Sequence, residues 1–106
     1  MISYEEFSRM NMRVAEVLSA EKVKGADKLI RLEVDIGDGK RQIVAGIAGR
    51  YEPDTLVGKK IIVLENLEPK KLRGIQSNGM LLAAGAEEEL VLLTVDGDIM
   101  NGAKVS

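Results

Sequence analysis

Between Met12 and Val23 the apolar residues change sides partway along the segment: Met12 and Val14 share one parity, Val17 and Val23 the other. Successive side chains of a strand point to opposite faces, so one inserted residue flips the facing of everything after it. A long strand with a bulge satisfies this pattern and a helix does not. Such a bent strand can serve both halves of a closed five-stranded barrel, which narrows the choice of fold sharply.

The remaining segments fit that frame. Ile30, Leu32, Val34 and Ile36 point one way while Arg31, Glu33 and Asp35 point the other, as in a half-buried strand. Gly37-Asp38-Gly39 is predicted to supply the positive-φ residues of a tight hairpin, with a partner strand from Lys40 to Ile47. Glu52 to Val57 reads as a helical turn closed by Gly58. A strand over 59–65 carries the continuous apolar run Ile61–Leu64 and is expected to be central. A polar loop from Asn66 to Asn78 and a strand Met80–Ala84 follow. An acidic turn at Glu87-Glu88-Glu89 and short strands near Leu90–Thr94 and Gly102–Val105 complete the chain. At the other end, Ser3-Tyr4-Glu5-Glu6 is a capping-box pattern and predicts a short helix ending near Met10, with Tyr4 and Phe7 on one face. The expected fold is all-β: a five-stranded OB-fold barrel with a short N-terminal helix and a C-terminal extension of short strands. One domain over 1–106 is expected, without repeat or linker.

Several function classes drop out on composition. The chain has no cysteine and no histidine, which removes disulfides, a thiol nucleophile, Cys/His zinc sites and the usual general base. Ser77 therefore has no histidine to activate it. Glu87-Glu88-Glu89 and the Asp96/Asp98 pair read as solvated turns rather than acid/base dyads. No catalytic residue, metal site or cofactor is expected, and the chain is not expected to be an enzyme by itself. No apolar run approaches the roughly 18 residues of a membrane span. The opening Ser3, Glu5 and Glu6 do not form a signal segment, so a cytoplasmic chain with no membrane partner is expected.

The net charge of −2 points away from nucleic acid, but its distribution does not. Residues 22–73 hold twelve basic and eight acidic side chains, whereas residues 74–106 hold one and five. A polyanion responds to the local field. Lys59, Lys60, Lys70, Lys71 and Arg73, with Asn66, Ser77 and Asn78 as neutral donors, form the strongest candidate constellation for phosphate oxygens. The plain alternative is a solvated surface. Lys28, Arg31 and Arg41 form a second basic set, for which cross-strand pairing with Glu33 or Asp35 is an equal alternative. Tyr4, Phe7 and Tyr51 are the only aromatics. Base stacking on aromatic platforms is therefore excluded as the main binding mode, which leaves backbone and shape recognition of a structured RNA.

The run Asn66-Leu67-Glu68-Pro69-Lys70-Lys71-Leu72-Arg73-Gly74-Ile75-Gln76-Ser77-Asn78-Gly79-Met80 resembles a known family. It is the tRNA-binding domain found at the C-terminus of many methionyl-tRNA synthetases, in free-standing bacterial tRNA-binding proteins and in eukaryotic cytokine-like synthetase cofactors. Phe7, Arg13-Val14, Ala26-Asp27-Lys28-Leu29, Arg41 to Ile47 and Leu56-Val57-Gly58-Lys59-Lys60 fit further blocks in the same order. The resemblance implies an OB-fold that binds tRNA near the outer corner of the L without strong sequence preference. It also implies homodimerisation through elements near 1–12 and 85–106, and partnership with the catalytic part of methionyl-tRNA synthetase. The RNA-facing set it implies is Lys28, Arg41, Asn66, Lys71, Arg73, Ser77 and Met80, although periodicity alone makes Met80 a core residue. Many relatives carry His-Pro-Asn where Val23-Lys24-Gly25 stands here, a departure that tilts the likeness towards synthetase-associated members. The competing reading is a chaperone-like or dimerisation module that binds protein partners.

Overall fold

The computed structural model describes residues 1–106. Helix α1 (Tyr4–Ser8) starts at the expected capping box. The Glu6 amide donates to Ser3 Oγ at 3.1 Å and the Ser3 amide donates to Glu6 Oε1 at 3.0 Å. The helix is shorter than expected and buries none of its residues; Phe7 is half-buried and Tyr4 exposed. With only a single turn there is too little apolar stripe to dock both rings.

Strand β1 (Met12–Val23) is long and irregular, as the slipped alternation requires. Its first part pairs with β4 (Lys60–Leu64) and its second with β2 (Ala26–Asp35), with register shifts between Val17 and Ser19 and between Lys22 and Val23. In β2, Ile30, Leu32 and Val34 are fully buried while Arg31 and Glu33 are exposed. Strand β3 (Lys40–Ala45) returns alongside it. Of the two turn glycines only Gly37 has positive φ (96°), and the Asp35 carboxylate accepts from its amide at 2.8 Å. Gly37 answers a second demand as well. A Cβ there would lie 2.6 Å from the Asn101 carbonyl oxygen, because the C-terminal extension crosses directly over this turn.

Helix α2 (Pro53–Leu56) is the expected helical turn; it buries Leu56 and is followed by Gly58 at φ 89°. Strand β4 is central, with Ile61, Ile62 and Val63 buried. The stretch from Asn66 to Asn78 departs from expectation. It is not a loop but contains a hairpin, β5 (Lys70–Leu72) and β6 (Ile75–Ser77). Beyond it come β7 (Met80–Leu81), the hairpin β8 (Ala83–Ala86) and β9 (Glu89–Leu92), and β10 (Lys104–Val105) on the flank of β1.

The fold is all-β and antiparallel, with main path β3-β2-β1-β4-β7. This is the strand order of an OB-type barrel, its core formed by twelve buried apolar residues from Ala15 to Leu81. No ladder joins β3 to β7 at their seam; β7 pairs with β4. Instead the Asn78 amide donates to the Gln42 carbonyl at 2.8 Å, and the Val44 amide donates to Ser77 Oγ at 3.0 Å. Ser77 Oγ in turn donates to the Gly79 carbonyl at 3.0 Å.

Ser77→Ala leaves the buried Val44 amide without its acceptor, so a loss of about 1–3 kcal/mol is expected. Urea unfolding measures it. An unchanged midpoint would show that the seam does not depend on this hydroxyl.

Candidate nucleic-acid interface

Two short turns determine where the cations stand. Lys24-Gly25 joins β1 to β2, with Gly25 at φ 81°. Arg73-Gly74 joins β5 to β6, with φ 52° and 80°. Positive φ at both central residues is the signature of a type I′ hairpin turn, which suits Asn-Gly and strains a long side chain at its first position. The turns are held together by a small apolar cluster outside the barrel core. Val23, Ala26 and Val44 are buried in it, and Leu29, Leu72 and Ile75 pack against it.

That packing creates a cleft of about 540 Å³ between residues 25–29 and 71–73, lined by Lys28, Lys71 and Arg73. Three of the expected RNA-facing residues thus meet in one place, although more than forty positions separate Lys28 from Lys71. None of the three forms an ion pair, although Asp27 also lines the cleft. Their charges are open to a ligand.

The other expected residues are placed differently. Arg41 lies in a separate groove with Lys40, Pro69 and Asn78, opposite Val34 and so six residues along β2 from Lys28. Its guanidinium is 3.5 Å from Glu65, whose carboxylate is also 2.8 Å from Arg13 Nε. Arg41 is therefore tethered but still part-exposed, with 38% of its side chain open. Asn66 uses both ends of its amide as a clamp. It accepts from the Asn11 amide at 2.8 Å and donates to the Arg9 carbonyl at 2.7 Å, tying the end of α1 to the end of β4. Ser77 is 5% exposed and closes the seam; its hydroxyl supports the interface from below rather than facing it. Met80 is 45% exposed, which corrects the core assignment drawn from periodicity.

Lys59 and Lys60 do not join the cationic cleft. They line a separate hollow with Tyr51, Leu92 and Thr94, and the Lys60 ammonium donates to the Ile99 carbonyl. Arg31 pairs with Glu21, its direct neighbour across β1 and β2, rather than with Glu33 or Asp35. Lys22, Lys24 and Arg31 line a hollow of about 340 Å³ on the other side of Arg73. Lys22 and Lys24 were not singled out from sequence; the available signal was the two-residue turn that brings this strand end to the hairpin tip.

The chain matches the family model described as putative tRNA binding domain over residues 12–104. It is 55% identical over 105 residues to a methionine–tRNA ligase of Caldanaerobacter subterraneus subsp. tengcongensis, covering 99% of this chain and 16% of that protein. The chain therefore spans about one sixth of the length of the ligases it matches. Among solved structures, a MetRS-related protein from Pyrococcus horikoshii superposes with a TM-score of 0.95 at 42% identity, covering 100% of this chain and 98% of that one. The chaperone CsaA from Bacillus anthracis str. Ames superposes with a TM-score of 0.92 at 34% identity, covering 100% and 99%.

Left-handed backbone at Arg73 costs of order 1 kcal/mol that Asn avoids, since Asn-Gly is the preferred pair for this turn. Arg73→Asn is expected to keep or raise thermal stability. A clear fall in the melting temperature would show that the arginine conformation is unstrained.

Proposed function

The chain belongs to the putative tRNA-binding domain family, and on that premise we propose that it binds tRNA through the Lys28–Lys71–Arg73 cleft, with Arg41 as a further contact in a separate groove. The observation that carries this reading is the convergence of three unpaired cations, against the single carboxylate of Asp27, on one cleft of a molecule whose net charge is −2. Phosphate oxygens take ammonium and guanidinium donors without regard to base identity, so such a cleft grips backbone and shape. The lack of an aromatic platform among its lining residues fits the same mode. The module acts as an appended domain or separate subunit of a methionine–tRNA ligase. It holds tRNA near the catalytic part and raises its effective concentration there, adding affinity rather than chemistry.

The two chain ends support self-association. Ile2, Tyr4, Val91 and Met100 are 65%, 79%, 56% and 75% exposed, and exposed apolar groups of this kind favour burial against a second copy. A second reading, a protein-binding chaperone-like module, draws on the same side chains and on the likeness to CsaA. Peptide binding that persists in high salt would favour it.

A salt series of tRNA affinity tests the main reading. Three or four phosphate contacts give a log–log slope of roughly −2 to −4. Lys71→Ala combined with Arg73→Asn is expected to weaken different tRNAs about equally and to flatten the slope by roughly one to two units. Binding that ignores salt, or a loss confined to one anticodon, contradicts backbone recognition.

A further inference from the structure

The Arg73-Gly74 turn is a ridge with a cationic hollow on each side. One is the cleft of Lys28 and Lys71 described above. The other is lined by Glu21, Lys22, Val23, Lys24, Arg31, Arg73 and Ile75. Four of those seven side chains are basic and one is acidic. Glu21 is committed to Arg31. Lys22 reaches Glu52 at 3.8 Å, but both side chains are more than half exposed, at 59% and 72%; a pair of that kind contributes little and yields readily to a stronger anion. Lys24 and Arg73 have no acidic partner. The second hollow thus keeps two unpaired cations, Lys24 and Arg73, and Arg73 belongs to both hollows.

We propose that this second hollow is a phosphate-binding site for RNA, centred on Lys24 and Lys22. Its ligand is a second run of phosphodiester backbone, so that the Arg73-Gly74 ridge sits in a groove of a double-helical RNA segment. The proposal deepens the tRNA-binding reading and rests on it. A single strand offers one phosphate track and fills one hollow; a helical segment offers two tracks flanking a groove, which matches a ridge between two cationic hollows. The wide, shallow minor groove of A-form RNA admits such a ridge, whereas its deep major groove does not. Arg73 at the crest can bond to either track or to the 2′-hydroxyls between them.

The test compares the parent chain with Lys22→Ala/Lys24→Ala and with Lys71→Ala. Each is titrated with tRNA, an RNA stem-loop and an unstructured oligonucleotide of equal length, across a salt series. Both lysines are on the surface, and a thermal melt checks that the variants fold. The lysine pair variant is expected to bind tRNA and the stem-loop about tenfold more weakly at low salt. Its salt slope should be flatter by about one to two units, and its affinity for the single strand should change much less. If Lys71→Ala weakens tRNA binding while the pair variant matches the parent on all three RNAs, the second hollow is idle and the first-cleft reading stands. If the pair variant loses affinity equally for helix and single strand, the ridge-in-groove arrangement is overturned. If the parent chain does not bind tRNA at all, both readings fall together.

Discussion

The Ser77 hydroxyl is buried at the seam of the barrel, where it accepts from the Val44 amide and donates to the Gly79 carbonyl. No ladder joins β7 to β3, so the edge of β3 would otherwise be left with unsatisfied amides. The serine and the neighbouring Asn78–Gln42 backbone bond bridge that edge. The Gln42 side chain extends the same seam by donating to the Gln76 carbonyl at 2.9 Å. These residues are also the base of the β5–β6 hairpin. The bridging of the β3 edge and the placement of the hairpin are therefore one constraint.

From that base the hairpin leans on the apolar cluster of Val23, Ala26 and Val44 through Leu72 and Ile75. Apolar contact brings the cations together, since like charges would not assemble unaided. Burial offsets the repulsion between Lys28, Lys71 and Arg73 and leaves their charges free for a ligand. The left-handed backbone at Arg73 fits the same account. Strain of this kind persists where surrounding structure over-determines it, and it tends to collect at functional positions. The remaining polar groups work as struts: Asn66 ties α1 to β4, and Glu65 holds Arg13 and Arg41.

Much of the barrel was legible from local pattern. The capping box at Ser3, the parity slip in β1 and the alternation of β2 each follow from one geometric period or bond, and each appears as expected. The β5–β6 hairpin was not legible, because its strands are three residues long and mostly polar, with only Leu72 and Ile75 to betray a packed face. The Arg73-Gly74 pair is a poor advertisement for a type I′ turn. The site was half legible. Charge composition pointed to the middle of the chain, but grouped Lys59 and Lys60 with Arg73, which the fold separates. Nor could composition tell a buried seam hydroxyl at Ser77 from a surface donor, since that difference lies wholly in tertiary context.

The proposed RNA-binding face is formed by two hairpin tips joined by a small apolar cluster. Titrating the isotopically labelled chain with tRNA and following its amide resonances tests this most directly. The account predicts shifts and broadening concentrated at residues 22–28 and 70–76, with residues around Tyr51 and Lys59 little changed. Perturbations confined to the C-terminal extension, or centred on the Lys59–Lys60 hollow, would contradict it.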